Sequence, residues 1–204
     1  MSNGQDPVSG SILAQELTEW ATVPSVIFPL NYSEFLQSPR ALCTLAAVPL
    51  DACERVFSDL SQHGRIALLN IDTCPGFGRD DAVLTFLKRI GVAGVMSTRL
   101  ALLQKARSLG LFTVQVLFLT DGSTVGKGAA SIRSANPHLV QVMPFPVIAH
   151  LTAPERRNLG RFVASGFVRT RSDVTDAIAS GAMGVTTTTV DLWTLRRSEV
   201  GEQA

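Results

Sequence analysis

Eight short runs of apolar and β-branched residues are spaced along this chain of 204 residues. The runs are almost continuously apolar rather than alternating with polar positions, which is typical of parallel strands buried on both faces. The predicted strands are Ser25–Leu30, Ala41–Val48, Ile66–Ile71, Gly94–Ser97, Phe112–Leu119, Leu139–Pro144, Phe162–Gly166 and Gly184–Thr188. Successive strands start about 16–28 residues apart, which leaves room for one helix and two short loops between neighbours.

Helical periodicity occupies the segments between the predicted strands. Val83, Phe86, Leu87 and Ile90 are spaced at i, i+3, i+4 and i+7, and Gly91 follows as a stop signal. Regular alternation of strand and helix predicts an α/β fold with a parallel sheet. Because the units number eight, we expect a small single-domain (β/α)8 TIM-type barrel, with an open doubly wound sheet as the alternative.

Composition agrees with one globular domain. Hydrophobic residues make up 46% of the chain, which is enough for one core. The first residues are polar, with glycine and proline among them, a composition typical of a frayed terminus. We therefore predict a flexible N-terminal tail over residues 1–20 and a barrel domain over residues 21–204.

Charge, cysteine content and hydropathy limit the classes of function. The formal net charge is +1, so no overall basic field indicates nucleic-acid binding, although a local basic patch stays compatible with it. The three cysteines have no CxxC spacing and indicate free thiols in a reducing compartment. No apolar stretch of about 18 residues and no signal-peptide pattern occurs. We expect a cytoplasmic protein without a membrane partner.

The ends of the last two predicted strands carry the clearest chemical signal. In (β/α)8 barrels, the loops after strands 7 and 8 often bind phosphate through backbone N–H groups. Here one strand ends in Ser165-Gly166, and the other ends in a run of threonines. The alternative is an ordinary tight turn beside β-forming threonines. The predicted phosphate-binding residues are Ser165, Gly166, Phe167, Thr186, Thr187 and Thr188, with Arg99 as the cation.

Other polar residues follow strands of the same predicted rim. Asp72, Asp121 and Ser97 are candidates for contacts with the hydroxyl groups of a polyol. The alternative for the two aspartates is a loop start and a turn. We predict no catalytic residues, since Cys74 has no partner base by spacing. The scattered histidines predict neither a metal site nor a cofactor site.

A second candidate surface is basic. Arg156 and Arg157 precede the seventh strand, and Arg169 and Arg171 follow it. Arginines in such positions are able to contact RNA phosphates, and ordinary solvated charge is the alternative. No aromatic-rich RNA-reading motif accompanies them, so the residues alone support RNA binding weakly.

Several ordered segments together carry a family resemblance. They are NID…G…D from Asn70 to Asp80, GVMSTR from Gly94, KARSLGLFTVQ from Lys105, FLTDGS from Phe118, VMPF from Val142, ASGFVRT from Ala164 and GAMGVTTTTVDLW from Gly181. Over residues 26–193 the chain resembles the glycerol-3-phosphate-responsive antiterminators, barrel proteins that regulate transcription of bacterial glycerol operons. Asp72, Arg99 and Asp121 match the family pattern. Ionisable family residues are replaced by Asn70, Val116, His138 and Gln141, and Phe145 stands where the family has glycine.

The resemblance implies a regulator that binds a small phosphorylated metabolite like glycerol 3-phosphate and prevents transcription termination on leader mRNA. Two alternatives stay open. One is a divergent phosphate-binding barrel enzyme acting on a triose or sugar phosphate, with Asp72 or Asp121 as general base. The other is a degenerate family member that senses another small molecule. The sequence does not decide whether the chain forms a homodimer.

Overall fold

The computed structural model describes residues 8–78 and 82–201, which form a closed barrel of eight parallel strands in sequential order. The strands are β1 (Thr22–Ile27), β2 (Leu42–Ala46), β3 (Ile66–Asn70), β4 (Gly94–Ser97), β5 (Phe112–Phe118), β6 (Leu139–Met143), β7 (Phe162–Ser165) and β8 (Val185–Thr187). Pairing of β1 with β8, with Thr22 opposite Val185, closes the barrel. The predicted (β/α)8 fold is confirmed, and the open-sheet alternative is wrong.

Among the described residues, seven helices lie outside the barrel between successive strands, and one helix precedes β1. The helices are α1 (Val8–Glu19), α2 (Tyr32–Gln37), α3 (Cys53–Gln62), α4 (Ala82–Arg89), α5 (Leu100–Ser108), α6 (Gly122–Ala135), α7 (Ala153–Asn158) and α8 (Arg171–Ala179). After β8 the chain instead forms short 3-10 turns at Val190–Leu192 and Arg197–Glu199. Trp193 follows the first of these turns, is fully buried, and donates a hydrogen bond from Nε1 to the Thr187 carbonyl.

The interior of the barrel is filled by apolar side chains from alternate strand positions. Val23, Leu42, Leu68, Met96, Phe112, Val114, Val116, Leu139 and Val163 form one buried cluster. Leu13 and Leu17 of α1 belong to the same cluster. Helix α1 therefore closes the amino-terminal end of the barrel.

This helix corrects the prediction of a flexible tail over residues 1–20. Residues 8–19 are helical, and residues 1–7 lie outside the described residues. Glu16 on α1 is buried and bonded to the fully buried Arg40, with Glu16 Oε2 2.8 Å from Arg40 Nη2. Leu13, Leu17 and Trp20 are spaced at i, i+4 and i+7, which is a helical pattern. The surface that Leu13 and Leu17 cover exists only once the barrel has closed.

Candidate functional site

The carboxyl ends of the strands form the mouth of the barrel. Side chains alternate across each strand, so Phe118 lies on the same side of β5 as the interior residue Val116. Phe118 is opposite Met143 in the pairing of β5 with β6. The mouth is consequently apolar on the side of β5 and β6, whereas hydroxyl groups of Ser165 and Thr186 mark the side of β7 and β8.

A pocket of about 150 Å³ lies where β7 and β8 separate. Their ladder ends at the pair of Ser165 with Thr186. Gly166 then has φ 78°, a left-handed conformation that glycine adopts without strain. The residues that line the pocket are Ser25, Met143, Ser165, Gly166, Phe167, Val168, Thr186, Thr187 and Thr188.

Several hydrogen-bond donors of this pocket have no acceptor among the described residues. The N–H of Ala164 donates to the Gly184 carbonyl of the β8 side at 3.0 Å, and the N–H two residues further, on Gly166, continues in that direction past the end of the ladder. No described residue accepts a hydrogen bond from the backbone N–H of Gly166 or Thr188. The hydroxyls of Ser165 and Thr186 are hydrogen-bonded to each other, with their oxygens 2.7 Å apart.

Thr187 and Phe167, which were also predicted as phosphate ligands, line the same pocket. Thr187 Oγ1 donates to the Val168 carbonyl at 2.8 Å and thereby holds the loop after β7 against β8. Phe167 has φ 61° and a side chain that is 66% exposed, so its ring lies at the pocket entrance. The structure brings Ser165, Gly166, Phe167, Thr186, Thr187 and Thr188 together at one pocket, where the hydroxyls of Thr186 and Thr187 are already hydrogen-bonded within the protein.

Arg99 lies apart from this group. It is not among the residues that line the pocket, and its Nε donates to Asp72 Oδ1 at 3.0 Å. In this arrangement Arg99 is paired with Asp72, and its role as the cation for a phosphate stays a prediction. The lining described above contains no charged side chain.

Asp72 is saturated with hydrogen bonds. Its Oδ1 accepts from Ser97 Oγ at 2.7 Å, and its Oδ2 accepts from both the N–H and the hydroxyl of Thr98 at 2.6 and 2.8 Å. Burial by itself would raise the pKa of Asp72, but these bonds and the one from Arg99 outweigh it and lower the pKa below the ordinary value. Asp72 therefore joins the loop after β3 to the loop after β4, and Ser97 is engaged in the same cluster.

Replacing Asp72 with asparagine is expected to lower the free energy of unfolding by about 1–3 kcal/mol at pH 7, because hydrogen bonds to a charged acceptor are lost. The pKa of this carboxyl is lower in the folded state, so its stabilisation is complete above the unfolded pKa of about 3.9 and disappears as the pH falls through the folded value. Urea denaturation between pH 7 and pH 2.5 measures the difference in the free energy of unfolding between Asp72→Asn and the unaltered protein. The exposed Asp176→Asn is the control and should change stability by less than about 0.5 kcal/mol. A pH-independent difference would contradict the role of the charge.

Asp121 and Cys74 have structural roles. Asp121 is the N-cap of α6, where its Oδ1 accepts from the Thr124 N–H at 2.9 Å; that bond lowers its pKa. Cys74 is buried and donates from Sγ to the Asn70 carbonyl. Burial raises the pKa of its thiol to about 11, so the thiolate nucleophile is scarce at neutral pH.

The four arginines predicted to contact RNA lie in the segments before and after β7. Arg156 and Arg157 lie in the last turn of α7, which leads into the amino end of β7, whereas Arg169 and Arg171 follow its carboxyl end. Arg171 Nη2 is paired with Glu199 Oε1 at 2.7 Å. The four arginines thus belong to segments at opposite ends of β7.

The sequence did not predict Ser25, Met143 and Val168 as pocket residues. The first strand was predicted to begin at Ser25, but it begins at Thr22, so Ser25 lies nearer the carboxyl end than expected. Met143 ends β6, and no polar signal marked it. Within residues 8–78 and 82–201, no three His, Cys, Asp or Glu side chains are grouped for a metal. The helices of this part are too short or too polar to span a bilayer.

Three comparisons relate this barrel to known proteins. A family model described as glycerol-3-phosphate responsive antiterminator matches residues 22–193. The chain is 25% identical to a solved structure of the glycerol uptake operon antiterminator regulatory protein from Listeria monocytogenes, covering 85% of this chain and 94% of that one, with a TM-score of 0.79.

A second solved structure shows the same fold. It is a glycerol uptake operon antiterminator-related protein from Thermotoga maritima, 17% identical over 87% of this chain and 99% of that one, with a TM-score of 0.76. Among curated proteins, the uncharacterised Escherichia coli K12 protein YgcP is 27% identical over 146 residues, which are 70% of this chain and 75% of that protein.

Proposed function

This chain belongs to the glycerol-3-phosphate responsive antiterminator family, and from that premise we propose that it is a metabolite-responsive regulator of transcription. In this proposal a small phosphorylated metabolite of the glycerol 3-phosphate kind binds between the ends of β7 and β8. The occupied protein acts on leader mRNA and prevents termination, an activity that belongs to the cytoplasm.

The observation that carries the ligand site is the set of donors at the end of the β7–β8 ladder. The N–H groups of Gly166 and Thr188 and the hydroxyl of Ser165 border one pocket. Unpaired backbone N–H groups are favourable partners for a phosphate oxyanion, because hydrogen bonds to a charged acceptor are about twice as strong as neutral ones. A ligand phosphate satisfies donors that the fold leaves unpaired.

The state of the carboxylates favours a regulator over the alternative of an enzyme. A general base needs an accessible lone pair and a pKa near the working pH. Asp72 accepts four hydrogen bonds and has a lowered pKa. Asp121 caps a helix. Neither carboxylate has the properties of a base for a bound triose or sugar phosphate.

The RNA part of the proposal rests on the family and on the arginines at the two ends of β7, which are Arg156, Arg157, Arg169 and Arg171. Arginine contacts to phosphates make binding depend steeply on salt, because counterions are released. Arg171 is already paired with Glu199, so we assign the larger share of RNA contact to the arginines of α7 and to Arg169.

Calorimetric titration with inorganic phosphate and with glycerol 3-phosphate tests the ligand site. A phosphate ligand at about 100 times its dissociation constant is expected to add about 2.7 kcal/mol to the free energy of unfolding. Retention of the leader RNA, measured with and without ligand at several salt concentrations, tests the second part. Arg156→Gln combined with Arg157→Gln should reduce the salt slope by about two, whereas Arg89→Gln on α4 should not. If no phosphate compound gives a heat of binding and none stabilises the protein, the proposed site is contradicted.

A further inference from the structure

We propose that the amino-terminal end of the barrel, on the side of α5, α6 and α7, binds the phosphate backbone of a double-helical RNA. The inference rests on the RNA part of the proposed function and extends that contact from α7 to two further helices. The surface consists of five arginines in the last turns of these helices and in the loop after α7, namely Arg107, Arg133, Arg156, Arg157 and Arg161. We call it the basic end surface.

Charge is distributed unevenly over the chain. Residues 82–172, which include β4 to β7, contain 12 Lys and Arg but only two Asp and Glu. The other residues contain six Lys and Arg and 15 Asp and Glu. Consecutive strands are neighbours in the barrel, so the basic residues lie on one side of it. The formal net charge of +1 therefore conceals a local field that attracts anions.

The helix ends on this side differ from the others. Helices α4 to α7 each carry Lys or Arg in the last turn, whereas α1, α2, α3 and α8 carry neither. A cation in the last turn stabilises any helix through the helix dipole, so that effect alone would favour cations at every helix end. Their restriction to consecutive helices indicates an additional role. Arg89 Nη2 of α4 lies 3.5 Å from Glu54 Oε1 of α3, and the basic end surface therefore begins at α5.

The ends of α5, α6 and α7 adjoin one another. Gln104 Nε2 of α5 donates to the Ser134 carbonyl in the last turn of α6 at 3.0 Å. The N–H of Val140 in β6 donates to the Arg161 carbonyl at 3.0 Å, which brings the loop after α7 to the strand that follows α6. The basic end surface therefore spans three neighbouring helix ends.

The arginines of this surface are available to an external anion. None of the five forms an ion pair with a carboxylate of the described residues. Residues 100–118 and 122–162 contain a single carboxylate, that of Glu155. It accepts hydrogen bonds from the N–H and the hydroxyl of Thr152 at the start of α7, away from the helix end. A bound polyanion therefore meets cations without local repulsion.

The chemistry of this surface selects among anionic partners. A membrane-binding surface combines cations with exposed apolar side chains, and proteins that bind single-stranded RNA stack its bases on aromatic rings. The large hydrophobic side chains that are exposed among the described residues all lie at or beyond the carboxyl ends of strands, and they are Leu30, Leu50, Phe118, Phe167 and Val190. Cations without such side chains fit double-helical RNA, which proteins recognise mainly through phosphates and 2′-hydroxyl groups.

Arg107→Gln combined with Arg133→Gln tests the extension to α5 and α6. The probe is a synthetic RNA duplex of about 16 base pairs, and fluorescence anisotropy measures its binding between about 50 and 200 mM salt. We expect the double variant to weaken binding on the order of tenfold at about 0.1 M salt and to reduce the salt slope by about two, because two phosphate contacts are lost. Arg55→Gln combined with Arg89→Gln removes the same charge from α3 and α4. This matched control should change neither quantity.

The location of the surface gives a second readout. The ligand pocket lies at the carboxyl ends of β7 and β8, at the opposite end of the barrel. The double variant on α5 and α6 should therefore leave the calorimetric affinity for inorganic phosphate unchanged, which also shows that the variant is folded.

The outcomes separate this inference from the proposed function. If RNA binds but the two double variants weaken binding equally or not at all, the basic end surface is overturned and the regulator proposal stands. Tighter binding of a single strand than of the duplex overturns the preference for paired RNA. If vesicles of phosphatidylserine and phosphatidylcholine bind the protein and the duplex does not, the partner is a lipid surface and the inference is wrong. If neither the duplex nor the leader RNA binds, the RNA part of the proposed function fails with it.

Discussion

Replacing Gly166 with aspartate is expected to lower the affinity for inorganic phosphate at least a hundredfold. A Cβ on Gly166 would lie 3.5 Å from Met143 Cε and from Pro144 Cα, which is ordinary contact, and aspartate is among the residues that tolerate a positive φ. The new carboxylate would lie beside the bound phosphate. Two unit charges about 4 Å apart repel by about 4 kcal/mol at an effective dielectric constant of 20.

Gly166→Asn is the matched control, since it has the same shape and the same backbone tolerance without the charge. The two variants should have similar free energies of unfolding in the absence of ligand. Calorimetric titration should show asparagine weakening phosphate binding far less than aspartate does. Equal losses would mean that the side-chain volume at this position, rather than charge, blocks the pocket. Unchanged affinity in both would place the phosphate elsewhere.

Arg40→Ala is expected to destabilise the protein by about 3–5 kcal/mol, because it leaves a buried carboxylate without its partner. Arg40 is fully buried and Glu16 is nearly so. The guanidinium donates to Glu16 Oε2 at 2.8 Å, to the Thr22 carbonyl at 2.7 Å and to the Trp193 carbonyl. It therefore connects α1, β1 and the segment after β8, which adjoin only at the amino end of the barrel.

Two further variants distinguish this result from a general loss of charge. Arg89→Ala removes an exposed ion pair with Glu54, in which the side chains are 71% and 66% exposed, and should cost no more than about 1 kcal/mol. Arg40→Met combined with Glu16→Leu removes both buried charges and should be less destabilised than Arg40→Ala. Urea denaturation measures all three. A cost for Arg40→Ala as small as that for Arg89→Ala would contradict the role of the buried pair.

The strands were predictable because their signal is local. A strand buried on both faces is apolar at every position, and each of the eight predicted runs overlaps an observed strand. The least accurate was the first, predicted at Ser25–Leu30 and found at Thr22–Ile27. Pro24 is a poor local signal of a strand, and pairing with β8 and β2 is what determines its bounds.

Part of the candidate site was predictable for the same reason. Ser165, Gly166 and Thr188 adjoin in sequence the strand ends that any parallel barrel brings to one rim. The partner of Arg99 was not predictable, because its contact with Asp72 depends on how two loops from different strands approach each other. The apolar side of the mouth was also not predicted, since Phe118 and Met143 have the sequence pattern of ordinary strand residues and only the register places them at the mouth.

The sequence by itself determined the succession of strands and helices and the chemistry at the ends of β7 and β8, since both depend on neighbours along the chain. Only the tertiary structure decided that residues 8–19 close the barrel, that Arg40 pairs with Glu16, and that Asp72 and Arg99 neutralise each other. Those contacts join residues far apart in sequence, and their free energy depends on burial that exists only after the barrel has closed.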